Sequence, residues 1–130
     1  MKRIIAIALL VASLASCLCA CATVDSQAKA LIKEWNNSEE LPCSFSGDWY
    51  RLENDASTET YVVTVELPYI APGSTYEMTL ILICGEVRKQ CYQSMLDIFD
   101  GSGKNFGFIF EDSYGDLFAT YIDGEFEWYY

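Results

Sequence analysis

The side chains with chemistry to offer are mostly acids. The chain holds 19 Asp and Glu against 8 Lys and Arg, no histidine, and a formal charge of −11 over 130 residues. A glycoside-cleaving pair needs two carboxyl groups about 5–9.5 Å apart across a cleft. Glu53, Asp55, Glu59, Glu111, Asp112, Asp116, Asp123, Glu125 and Glu127 are spread so that no pair stands out, and they read as a solvated face. The missing histidine removes Ser-His-Asp and Cys-His catalysis and the common His-based metal sites. "DGSGKNFG" (100–107) lacks the ligand spacing of a calcium loop and the Gly-Lys-Ser/Thr end of a phosphate loop, so it reads as a hairpin loop. No enzyme activity, metal or cofactor is expected. The acidic surface repels phosphate backbones, which argues against nucleic-acid binding.

Lys2 and Arg3 precede the apolar run "IIAIALLVASLA" (4–15), which is shorter than the ~20 residues of a membrane span. A positive start, a short apolar run and a small-residue finish describe an export signal over residues 1–22. "LASC" (14–17) resembles a bacterial lipobox, which would place a lipid anchor on Cys17; "CACA" (19–22) would suit an ordinary signal peptidase. The protein is therefore expected in the cell envelope or secreted, touching a membrane only through that anchor. Without residues 1–22, 6 basic residues face 19 acidic ones, a charge of −13. In an oxidising compartment a disulfide is expected, either Cys84 with Cys91 or Cys43 with one of them.

Residues 23–42 read as a short helix or tether. Asp25 or Ser26 could cap it, Ala28, Leu31, Ile32 and Trp35 share one stripe, and Pro42 forbids continuation. Asn36-Asn37-Ser38 is a glycosylation sequon. From residue 43 to 130 the signal is strand. "GDWYRL", "YVVTVEL", "TYEMTLILIC", "CYQSMLDIF", "NFGFIF", "DLFATYI" and "EFEWYY" make about seven, parted by Pro72-Gly73, Asp100–Gly103, Tyr114-Gly115-Asp116 and Asp123-Gly124. Asp123-Gly124 is the strongest hairpin signal. The pattern predicts an all-β domain: a small antiparallel up-and-down barrel or strongly curved sheet, preceded by the short helix.

Gly47-x-Trp49 at the first strand resembles the mark of the lipocalin and avidin barrels, the calycin group. "CSFSGDWYRLENDASTETYVVTV", "GSTYEMT", "DGSGKNFGFIF" and "ATYIDGEF" follow the avidin order and spacing over roughly residues 43–126. The resemblance implies that Trp49 closes one end of a barrel, and that Tyr76 and Thr120 match a third-strand Tyr and the sixth-strand Thr that contacts the ligand's sulfur. It also implies a homo-oligomer. Arg51 stands where the family has a biotin-binding Asn, and Met78 where it has Ser. The seventh-strand Trp and eighth-strand Asp have no counterpart, so strong biotin binding is not expected.

The expected function is an exported, non-enzymatic barrel that binds a small, partly apolar molecule, biotin among the candidates. Trp49, Tyr50, Tyr76, Phe108 and Thr120 would line the site. The alternative is an envelope lipoprotein with a filled barrel, acting in protein interaction or structure, its acidic rim facing a basic partner. An apolar cavity would favour the first; a packed interior with an exposed aromatic patch at "EFEWYY" would favour the second.

Overall fold

A computed structural model of the chain describes residues 20–50 and 59–130. Its elements run α1 (Ala20–Asn36), β1 (Ser44–Tyr50), β2 (Thr60–Glu66), α2 (Tyr76–Phe99), β3 (Asn105–Glu111), β4 (Leu117–Ile122) and β5 (Glu125–Trp128). The strands form one sheet in the order β1-β2-β3-β4-β5. Neighbours are antiparallel except β2 and β3, which are parallel and joined through α2.

Two expectations are corrected here. Residues 75–84 and 91–99 are not strands; from Tyr76, with Thr75 at the N-cap, they belong to one 24-residue helix. The sheet is mostly antiparallel but open, so its described strands enclose no barrel interior. The cause lies in α2's second periodicity. Leu80, Cys84, Val87, Cys91, Met95 and Phe99 recur every three or four residues, and all six are buried. The stretch between the two expected strands, "GEVRKQ", has no Pro, Asn-Gly or Asp-Gly to turn a hairpin. A helix between parallel strands also supplies the long crossover that their pairing requires.

Register places Phe45, Gly47 and Trp49 of β1 level with Val65, Val63 and Tyr61 of β2. These in turn meet Phe110, Phe108 and Phe106 of β3. This face carries the core. Trp35 of α1 meets Phe45 at 5.4 Å and Phe108 at 6.4 Å, ring to ring. Val24, Ala28, Ile32 and Trp35 are buried with Leu41, so the expected stripe of α1 is part of this core. Asp25 does not cap α1, which begins earlier, at Ala20. Its carboxylate instead accepts from Trp49 Nε1 at 2.9 Å and pairs with Lys29 at 2.9 Å. Those two contacts hold the Asp25 carboxyl below the usual carboxylate range. At the other end of α1, the Asn36 amide exchanges two bonds with the Phe45 backbone, donating to its carbonyl at 2.8 Å and accepting from its N–H at 2.7 Å.

Packed helices lie about 8–10 Å apart and strands about 4.8 Å, so two helices cover about four strands. α2 reaches as far as β4, where Tyr92 meets Tyr121 at 5.2 Å and Arg88 Nε donates to the Tyr121 hydroxyl at 3.2 Å. β5 lies beyond β4 as an edge strand of the sheet.

Candidate functional site

The five residues expected to line a ligand site do not meet. Trp49 is half-buried against Tyr61 and Phe99, with ring centroids at 5.1 and 6.1 Å. Tyr50 is 60% exposed at the end of β1. Tyr76 begins α2 and lines a shallow hollow with Pro72, Gly73 and Glu77. Phe108 is buried in the core, while Thr120 sits across from Glu127 on the other face of the sheet. A shared wall needs a closed barrel, and the open sheet points these side chains in different directions.

The expected Cys84–Cys91 bond is also corrected: among the described residues Cys43, Cys84 and Cys91 are free thiols. Cys84 and Cys91 are seven residues apart on one helix, about 10 Å along its axis, beyond the reach of a disulfide. Burial pushes the Cys43 thiol up to about 11 and those of Cys84 and Cys91 up to about 12. Such thiols stay protonated and poorly nucleophilic. Among the described residues no cluster of His, Cys, Asp and Glu could hold a metal ion. No described helix is long and apolar enough to cross a membrane. Cys17 and the expected lipobox lie outside the described residues.

Two surfaces remain. The first is a cleft of about 410 Å³ where α2 ends and β3 begins. Tyr92, Phe99, Phe106 and Tyr121 wall it, and Asp100, Lys104 and Asp123 stand among its polar residues. Lys104 is tied to Glu59 by an ion pair at 3.1 Å.

The second is the inner side of the C-terminal hairpin. Asp123 (φ 55°) and Gly124 (φ 80°) both take left-handed backbone, which makes the two-residue turn that the Asp-Gly pair predicted. The turn folds β5 onto β4, with Tyr121 opposite Phe126 and Ala119 opposite Trp128. Phe126 and Trp128 stack at 4.8 Å, and Trp128 meets Tyr130 at 5.9 Å. A register shift where β3 pairs β4 leaves Phe118 with no partner across β3. Its ring meets Trp128 at 6.0 Å and Tyr130 at 5.2 Å. The result is a continuous aromatic row running off the covered part of the sheet, with Trp128 38% and Tyr130 58% exposed. On the opposite side of β5 stand Glu125 and Glu127, across from Ile122 and Thr120. Tyr129 donates its hydroxyl to Glu127 at 2.7 Å, which raises the pKa of that hydroxyl.

"EFEWYY" already marked the aromatic row in the sequence. The cleft was not legible, because its wall combines a helix end with β3 in a stretch read as a hairpin. No protein-family model matches the chain, and neither a curated protein nor a solved structure does.

Proposed function

We propose that the protein is a non-enzymatic interaction module that takes a basic protein partner on its C-terminal hairpin. The observation that carries this reading is the aromatic row of Phe126, Trp128 and Tyr130, which rests on buried Phe118, exposes Trp128 and Tyr130, and has Glu125 and Glu127 on the other side of the same strand. Exposed contiguous apolar surface rimmed by polar groups marks docking surfaces. Trp and Tyr are the side chains that most often anchor them. The charge of −11 attracts a cationic partner and repels an anionic one. In this reading the chain is exported, and the lipobox cysteine Cys17 holds it at the envelope.

A second reading, a small-molecule binder, rests on the aromatic cleft rather than on a barrel interior. Its carboxylates favour a ligand with a cationic end and an apolar body.

The two readings separate on one titration. An alternating Lys–Val octapeptide, its ends acetylated and amidated, is added to the protein while Trp fluorescence is followed; a Glu–Val octapeptide is the control. We expect saturable, salt-sensitive binding of the Lys peptide alone. Glu125→Lys with Glu127→Lys should reverse the preference, and Trp128→Ala should weaken binding roughly tenfold. Binding unchanged in all these variants but lost in Asp100→Asn/Asp123→Asn would move the site to the cleft and sink the hairpin reading.

A further inference from the structure

The hairpin's free edge determines how a partner would sit. Tyr129 N–H donates inward to Phe118 O at 2.9 Å. Backbone groups alternate sides along an antiparallel strand, so those of Phe126, Trp128 and Tyr130 point away from β4. Among the described residues no strand pairs with that edge. It offers a short row of donors and acceptors, with aromatic rings on one side and Glu125 and Glu127 on the other.

We infer that β5 binds its partner by strand addition. The partner is an extended segment that alternates basic and apolar residues and lies antiparallel as a sixth strand. This rests on the preceding reading of the hairpin as a basic-partner site. The apolar residues of the segment continue the aromatic row beside Phe126, Trp128 and Tyr130, and its Lys or Arg residues face Glu125 and Glu127. Main-chain bonds hold the segment and the alternation sets its register.

The same geometry disfavours a second copy of this chain. A closed two-fold dimer through β5 needs its axis perpendicular to the sheet, so like faces meet. In the register centred on Phe126, Glu125 of each copy falls opposite Glu127 of the other, and in the register centred on Glu127 the two Glu127 side chains face each other. Like charges directly opposite destabilise a sheet. The acids thus guard the edge against itself while suiting a basic strand.

Backbone-methylated peptides test this. In an antiparallel pair, residues that exchange both main-chain bonds lie opposite each other on the same face. The partner residues bonded to Phe126, Trp128 and Tyr130 are therefore the apolar ones. A Lys–Val octapeptide N-methylated at every Val should bind at least ~10-fold more weakly than the parent, and one N-methylated at every Lys should bind nearly as well. On the protein side, Trp128→Pro removes an outward N–H without breaking the β4–β5 ladder. It should bind more weakly than Trp128→Ala, with circular dichroism showing both variants folded. Equal binding of the two methylated peptides would overturn strand addition and leave the basic-partner reading standing. Binding of neither the Lys–Val nor the Glu–Val peptide would sink both. A dimer in sedimentation that Trp128→Pro dissolves would also overturn the inference, since it would show the edge taken by a second copy.

Discussion

Gly47 stands where Ile32 of α1 reaches the sheet. A Cβ there would overlap the Tyr61 hydroxyl and Ile32 Cδ1, so a larger residue would have to displace both side chains. The Gly-x-Trp step thus has a local cause in this fold: glycine admits Ile32 and Tyr61, and Trp49 reaches Asp25 across the same junction. The Tyr61 hydroxyl beneath it is buried without a hydrogen-bond partner among the described residues. The thiols give the residue-scale prediction. Their ordinary value is 9.0, and burial raises Cys43 to about 11 and Cys84 and Cys91 to about 12. Between those limits the folded chain holds protons that the unfolded chain has lost. The resulting stability is fully present below about pH 9 and falls as pH rises through 9 to 12. Urea midpoints should therefore hold steady from pH 7 to 8.5 and decline above that. The decline should be shallower in Cys84→Ala/Cys91→Ala, compared with its own midpoint at pH 7. Equal slopes in the two proteins would show that the thiols are not held neutral.

At the scale of elements, α2 is where sequence and structure part. All five strands overlap segments read as strand, β1 beginning three residues earlier than expected and β2 to β5 parted by recognisable turn residues. α2 was not legible as a helix. Its first half, "TYEMTLILIC", is apolar on nearly every side and fits a period of two as well as 3.6. Its second half shows the helical stripe only when Val87, Cys91, Met95 and Phe99 are read together with Leu80 and Cys84. The parallel β2–β3 pair follows from that helix and was hidden with it. Gly85 discriminates the two readings. It lies inside α2, and a Cβ there would meet nothing within 4 Å. Gly85→Ala should therefore stabilise the protein by about 0.5–1 kcal/mol, the ordinary helix gain. Urea unfolding measures it. In a β-hairpin Gly85 would open the turn, where alanine should give no gain, so a neutral or destabilising result would count against the helix.

For the whole molecule, charge and architecture act on the same surface. The edge strand β5 and the two Tyr that follow it carry the exposed Trp, two Tyr and two Glu of "EFEWYY". The composition of that surface was legible in the sequence. Its place at the sheet's edge was not, since it depends on the order in which the strands pair. A net charge of −11 also makes the folded state repel itself, and expansion on unfolding relieves that repulsion. Salt should then move two observables in opposite directions. Raising NaCl from 10 to 100 mM shortens the screening length from about 30 to about 10 Å. The melting temperature should rise by a few degrees, about what 1 kcal/mol does in a domain of this size. The affinity for the Lys–Val peptide should fall over the same range, because salt screens the attraction to Glu125 and Glu127. In Glu125→Lys/Glu127→Lys the negative net charge shrinks by four, so the thermal gain from salt should shrink, and the affinity that salt lowers should be that for the Glu–Val peptide. A melting temperature that falls with salt would mean that local ion pairs, such as Asp25–Lys29 and Glu59–Lys104, outweigh the global repulsion. An affinity indifferent to salt would mean that the aromatic row alone holds the peptide.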